Sequence, residues 1–227
     1  RMYELLLTTM TAQKADIVEC LIEKFTDNAS PQSYHGENFS TEFFDAEQAL
    51  GELIAEKKLH QTVVNKLYQT KIAKSVLFAV GKICEVEFWT YQVIGAARRV
   101  ALINVVLYHY YQRDDSIIHK PYSPKRLVAL DAYEERMHYV QARFSALYPA
   151  AVDAYLFACF FHYQTLCRNH EIDPDHVWRS KTHQRFCDCN YKLLWQKANL
   201  KYKVWYAGFR HFPLLTCKIR NMLKIGL

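Results

Sequence analysis

The sequence predicts a mixed α/β body that passes into a helical C-terminal part. Three patterns carry that prediction. Apolar residues alternate over residues 16–25, a second β-rich stretch covers 98–111, and helical spacing dominates from Ser123 onward. Hydrophobic residues make up 51% of the 227 and aromatics 15%, so a real core is available and general disorder is excluded.

Taken in order, residues 2–11 set Leu5, Leu6 and Met10 at helical spacing. Residues 16–25 form a strand with Val18, Cys20 and Ile22 on one side and Glu19 and Glu23 on the other. Residues 28–41 are rich in Asn, Ser, Pro and Gly and read as loop. Asp45 with Gln48 makes a capping box for a helix through Lys57, whose core face is Ala49, Leu50, Leu53 and Ile54. Residues 62–68 are a short extended or turning piece. Helix 85–97 opens with Glu85 and Glu87, where the helix dipole favours negative charge. Residues 98–111 are expected as two short strands broken near Asn104. Ser123-Pro124 supplies an N-cap and first-turn signal for a helix carrying Leu127, Leu130, Met137, Val140, Phe144 and Leu147. Pro149 is expected to end it, and another helix covers about 152–167.

Charge divides the chain. From His176 to the end there are eleven Lys and Arg against the single acid Asp188, a balance of 11 − 1 = +10. The whole chain is +6, which leaves +6 − 10 = −4 for residues 1–175. A basic tail on a mildly acidic body calls for an anionic partner. Seven scattered cysteines match a reduced cytoplasmic setting better than a disulfide framework. No apolar run approaches the ~20 residues of a membrane-spanning helix. His183, Cys187 and Cys189, with Cys167 and His170 upstream, fit no common zinc spacing. No Gly-rich phosphate loop, Gly-x-Ser-x-Gly elbow or nucleic-acid module is recognisable, so nucleic acid is not an expected partner.

Four segments share an order and spacing: Ala15-Asp16-Ile17-Val18, Val64-Asn65-Lys66-Leu67-Tyr68, Gly81 to Tyr91, and Tyr108 to His119 with its Tyr-Tyr-Gln-Arg-Asp-Asp-Ser-Ile run. Together they resemble the acceptor-side half of the bacterial family 2 glycosyltransferases, the GT-A type. The resemblance spans roughly residues 1–165. It implies the acceptor-side half of a GT-A-like domain over residues 1–120, a helical extension over 121–170 and a basic aromatic tail over 171–227. Residue 1 is Arg and a helix opens at once, so a fragment lacking the nucleotide-binding half is expected.

The resemblance further implies sugar transfer from a nucleotide-sugar donor to a glycan or lipid-linked acceptor, in bacterial surface polysaccharide or glycolipid synthesis. Such chemistry needs a carboxylate to take the acceptor proton, and a divalent cation (Mg or Mn) or basic groups to neutralise the leaving diphosphate. The family's base is the second acid of a Glu-Asp pair, whereas this chain reads Glu85-Val86. Valine accepts no proton, so Glu85 and Glu87 are the catalytic candidates and activity is expected to be impaired. Asn65, Lys66, Trp89 and Arg113 are the matching substrate-side residues, and His119 matches a metal-shell histidine. Residues 176–227 interleave aromatics with Lys and Arg, a composition suited to an anionic membrane surface on the inner face. The rival expectation is a non-catalytic module held at that surface by the same tail.

Overall fold

The computed structural model describes residues 1–26, 39–113, 121–190, 192–195 and 200–226. It divides into two compact units, Arg1–Pro121 and Tyr122–Leu227. The residues read above as extension and tail therefore fold as one body.

Unit 1 is built on a four-stranded mixed sheet. Its elements are α1 (Met2–Gln13), β1 (Ile17–Phe25), β2 (Thr41–Phe44), α2 (Ala46–Ile54), β3 (Lys66–Tyr68), α3 (Thr70–Ala73), α4 (Glu85–Ala96) and β4 (Val100–Tyr111). The strand order is β2-β4-β1-β3, with β1 parallel to β4 and both edge strands antiparallel. A parallel pair needs a crossover, and residues 26–99 supply it. Asp16 pins the point where the two parallel strands begin. Its buried carboxylate accepts the backbone N–H groups of Arg98 at 2.7 Å and Arg99 at 3.3 Å.

Each sheet face has its own cover. Val18, Cys20, Ala101 and Ile103 pack with Leu6 and Met10 of α1. Ile17, Val100 and Leu102 point the other way and are equally buried. Tyr68 lies opposite Ile17 across the β1–β3 pair, and its ring meets Trp89 of α4 at 5.1 Å, so α4 covers that second face. Helix α2 buries Ala49, Leu50, Leu53 and Ile54, as expected, and Asp45 and Gln48 close the capping box.

Several expectations change, among them the end of α2, which falls at Ile54 and not at Lys57. Glu19 does not face solvent: it is only 1% exposed, covered by the 60–66 segment through the His60 N–H, Asn65 and Lys66. Residues 100–111 form one strand, not two. The break expected near Asn104 is a bulge, since Cys20 pairs with Ile103 but Leu21 with Val106. Pro149 opens a helix instead of ending one, because proline fits the first turn, where no intrahelical N–H bond is made.

Among the described residues, unit 2 is all-helical. Ser123 caps a 3-10 turn, Pro124–Leu127, that leads into α5 (Val128–Arg143). Phe144 terminates α5, and Leu147 belongs to a separate 3-10 turn. Then come α6 (Tyr148–Arg168), α7 (Val177–Asp188), α8 (Lys192–Trp195), α9 (Leu200–His211) and α10 (Pro213–Met222). Helix α6 is the axis of this unit, burying Val152, Tyr155, Leu156, Cys159, Phe160 and Leu166 among others. Phe209 of α9 stacks on Phe160 at 4.2 Å and meets Phe186 of α7 edge-on at 4.7 Å. Arg185 ties α7 to α5 through Asp131 and Glu134, at 2.6 and 2.8 Å. Asp173 caps α7 by accepting the N–H of Trp178 and of Arg179, and it pairs with the Arg179 side chain at 3.0 Å.

Candidate functional site

Two of the segments singled out in the sequence meet on the α4 side of the sheet. Residues 65–68 and the middle of α4 touch through the Tyr68–Trp89 ring contact, and Thr90 Oγ1 donates to the Gln61 carbonyl at 3.1 Å.

Asn65 and Lys66 sit inside a polar knot. Lys66 is opposite Glu19 in the β1–β3 register, and Nζ lies 3.2 Å from Glu19 Oε2. The ammonium also donates to the carbonyls of His60, at 2.9 Å, and Thr62. Asn65 donates to Glu19 Oε1 at 3.2 Å and to the Cys20 carbonyl at 2.6 Å. Cys20 Sγ returns a bond to the Asn65 carbonyl at 3.4 Å. Glu19, Asn65 and Lys66 are at most 5% exposed. Burial pushes the Glu19 carboxyl up and the Lys66 ammonium down, each opposed by the other's charge. Both residues hold β3 to β1 and offer nothing directly to solvent.

Trp89 is likewise interior, at 4% exposure. Its ring stacks on Phe78 at 4.6 Å and Nε1 donates to the Val76 carbonyl at 2.9 Å. It shapes from behind the wall that β3 and α4 form. The Tyr68 hydroxyl and the Gln61 side-chain amide are buried nearby without a hydrogen-bond partner among the described residues. Burial raises the Tyr68 hydroxyl, with Glu19 adding to it, so it stays protonated and can donate.

Glu85 and Glu87 occupy the first turn of α4, after Cys84 in a left-handed conformation at φ 60°. Glu85 is exposed and Glu87 half-buried. Two positions on a helix differ by about 200°, so the two carboxylates point to different sides and at most one can serve a given acceptor. Val86 lies between them, half-buried. Arg113 is exposed, two residues beyond the end of β4. His119 lies outside the described residues, as do Asp114 and Asp115.

No group of three or more His, Cys, Asp or Glu is placed to hold a metal among the described residues. No described helix is long and apolar enough to cross a membrane.

Sequence reasoning missed Glu19 and Asp16 as organisers of this wall, because a strand carboxylate reads as solvent-facing until its cross-strand partner is known. No protein-family model matches the chain, and no curated protein is significantly similar to it.

Proposed function

We propose that residues 1–121 form the acceptor-side wall of a family 2-like glycosyltransferase, transferring a sugar from a nucleotide-sugar donor to a glycan or lipid-linked acceptor at the cytoplasmic membrane face. One observation carries the reading: the Asn65–Tyr68 and Glu85–Tyr91 segments, which bear the resemblance, come into contact through Tyr68 and Trp89. In this reading Glu19, Asn65 and Lys66 lock β3, Trp89 backs it, and the first turn of α4 presents the acid that takes the acceptor proton. Arg113 neutralises departing phosphate through its planar fork. Val86 stands where that proton acceptor is expected, so Glu85 or Glu87 must substitute with altered geometry and activity is low.

The test joins this chain to a nucleotide-binding half of that family and measures nucleoside diphosphate release from a panel of nucleotide sugars. Val86→Asp is expected to raise the rate by roughly 10²–10⁴, the usual worth of a positioned general base. A folded chimera that turns over no donor with either residue would remove the proposal.

A second reading is favoured by α10, which is inverted. Its inward residues are Thr216, Cys217 and Arg220, while Leu215 at 57%, Ile219 at 40% and Met222 at 82% face outward beside exposed Lys218 and Lys224. We propose that this face lies on an anionic membrane, where each lysine contributes about 1 kcal/mol and the apolar stripe enters the headgroup boundary. Sedimentation with phosphatidylglycerol vesicles should show binding at low salt and weaker binding at high salt. No binding at low salt would discard this reading.

A further inference from the structure

We infer that unit 2 carries a binding site for a small oxyanion-bearing sugar, a sugar phosphate or a sugar acid, in a cavity between α6, α9 and α10 with Arg220 in its wall. The cavity holds about 240 Å³, and its lining includes Phe157, Phe160, Lys201, Tyr202, Trp205 and Arg220. That volume lies just below the range of drug-sized ligand sites and suits a single ring with one charged substituent. The inference rests on unit 2 alone and not on the reading of residues 1–121.

Arg220 is the reason to expect an anion. It is 9% exposed, and its guanidinium lies over the rings of Phe160 at 4.6 Å and Trp205 at 5.2 Å. Its Nε donates to Gln164 Oε1 at 2.9 Å. Gln164 cannot turn away, because its amide nitrogen donates to Asn221 Oδ1 and to the Ile225 carbonyl, both at 2.9 Å. The guanidinium is therefore held in place by a chain of bonds while no carboxylate pairs with it among the described residues. Asp153, the acid on the neighbouring turn of α6, accepts instead from the Tyr206 hydroxyl at 2.8 Å. A buried cation without a counter-charge is costly unless an anion completes it. The remaining guanidinium N–H groups suit the paired oxygens of a carboxylate or phosphate.

The surroundings define the rest of the ligand. Gly226 comes so close that a Cβ there would lie 2.7 Å from Arg220 Nη2, so any side chain at this position would crowd the guanidinium. Phe157 and Tyr202 are half-exposed aromatics on the rim, surfaces on which the flat side of a ring can rest. Lys201, exposed on the same rim, supplies a second positive charge and hydrogen bonds for ring hydroxyls. Ring hydroxyls can accept from that ammonium and an aryl ring cannot, which favours a sugar.

Calorimetric titration of the intact chain tests this with five probes: glucose 6-phosphate, glucuronate, inorganic phosphate, phenyl phosphate and glucose. The expected result is binding of the first two at least tenfold tighter than the other three. Arg220→Gln should abolish it, with the fold checked by near-ultraviolet circular dichroism. Lys201→Gln, at an exposed position that leaves the fold intact, should weaken it threefold or more. The inference is overturned if glucose or phenyl phosphate binds as tightly as glucose 6-phosphate, if Lys201→Gln changes nothing, or if no probe binds at millimolar concentration.

Discussion

The clearest pH-dependent element is His162, in the buried part of α6. It is 8% exposed, and Nδ1 lies 2.7 Å from the Tyr122 hydroxyl. That hydroxyl is held protonated by burial, so it donates and the neutral ring accepts. Burial, with the Arg126 charge adding to it, lowers the His162 pKa from 6.5 to about 4. The unfolded chain takes up a proton as pH falls through about 6.5, and the folded one only near 4. This contribution to stability is therefore whole above pH 6.5 and is lost as pH falls towards 4. The gap corresponds to roughly 3 kcal/mol, of which about 2 kcal/mol is gone by pH 5. Urea unfolding at pH 8 and pH 5 measures it, followed by tryptophan fluorescence. Trp178, Trp195 and Trp205 belong to unit 2 and only Trp89 to unit 1, so the signal reports mainly the unit that holds His162. His162→Gln should be less stable than the wild type at pH 8 but should lose about 2 kcal/mol less on acidification. An equal loss in both proteins would show that His162 is not the group responsible.

Lys66→Met should cost about 3–5 kcal/mol in chemical denaturation, because it strands the Glu19 carboxylate. Adding Glu19→Leu should recover most of that loss, since replacing both charges removes the penalty; a double variant no better than the single would deny the coupling. Asp45→Ala removes one half of the α2 capping box and should lower stability by about 1 kcal/mol, read by the same denaturation. Val86→Asp places an acid in the first turn of α4 and should add about 0.3–1 kcal/mol at low ionic strength, independently of any catalytic gain. Phe209→Ala empties the centre of the aromatic cluster and should cost about 3–5 kcal/mol, seen as an early unfolding of unit 2.

Local signals in the sequence were legible wherever the deciding residues are neighbours. The Asp45–Gln48 box, the Ser123-Pro124 start and the apolar face of α2 depend on spacings of one to four residues, and each forms as expected. The alternation over β1 was also legible, but what covers its second face was not. At Glu19 that cover comes from residues 60–66, 41 or more positions on, and it changes Glu19 from a solvent-facing acid to the centre of a buried knot. Pro149 shows the same limit at short range, since proline breaks a helix from inside and opens one from the first turn. Only the position of the boundary decides which.

Charge was the least legible feature, for a reason that bears on both units. A tally of lysines and arginines treats every cation as solvent-exposed, yet Lys66, Arg179 and Arg220 are among the buried residues. Arg179 finds Asp173 only 6 positions away, but other groups that accept from buried or half-buried cations come from distant turns: Gln164 is 56 positions from Arg220, and Asp131 is 54 from the half-buried Arg185. Such pairings cannot be read from local composition. The described cations of residues 176–227 therefore differ in kind. Arg179 and Arg185 are matched by carboxylates, whereas Lys181, Lys201, Lys218 and Lys224 are exposed. Arg220 belongs to neither kind, being buried with no described carboxylate. An anionic surface would engage the exposed group alone. A small anion would seek Arg220, so salt should loosen vesicle binding while a sugar phosphate leaves it in place.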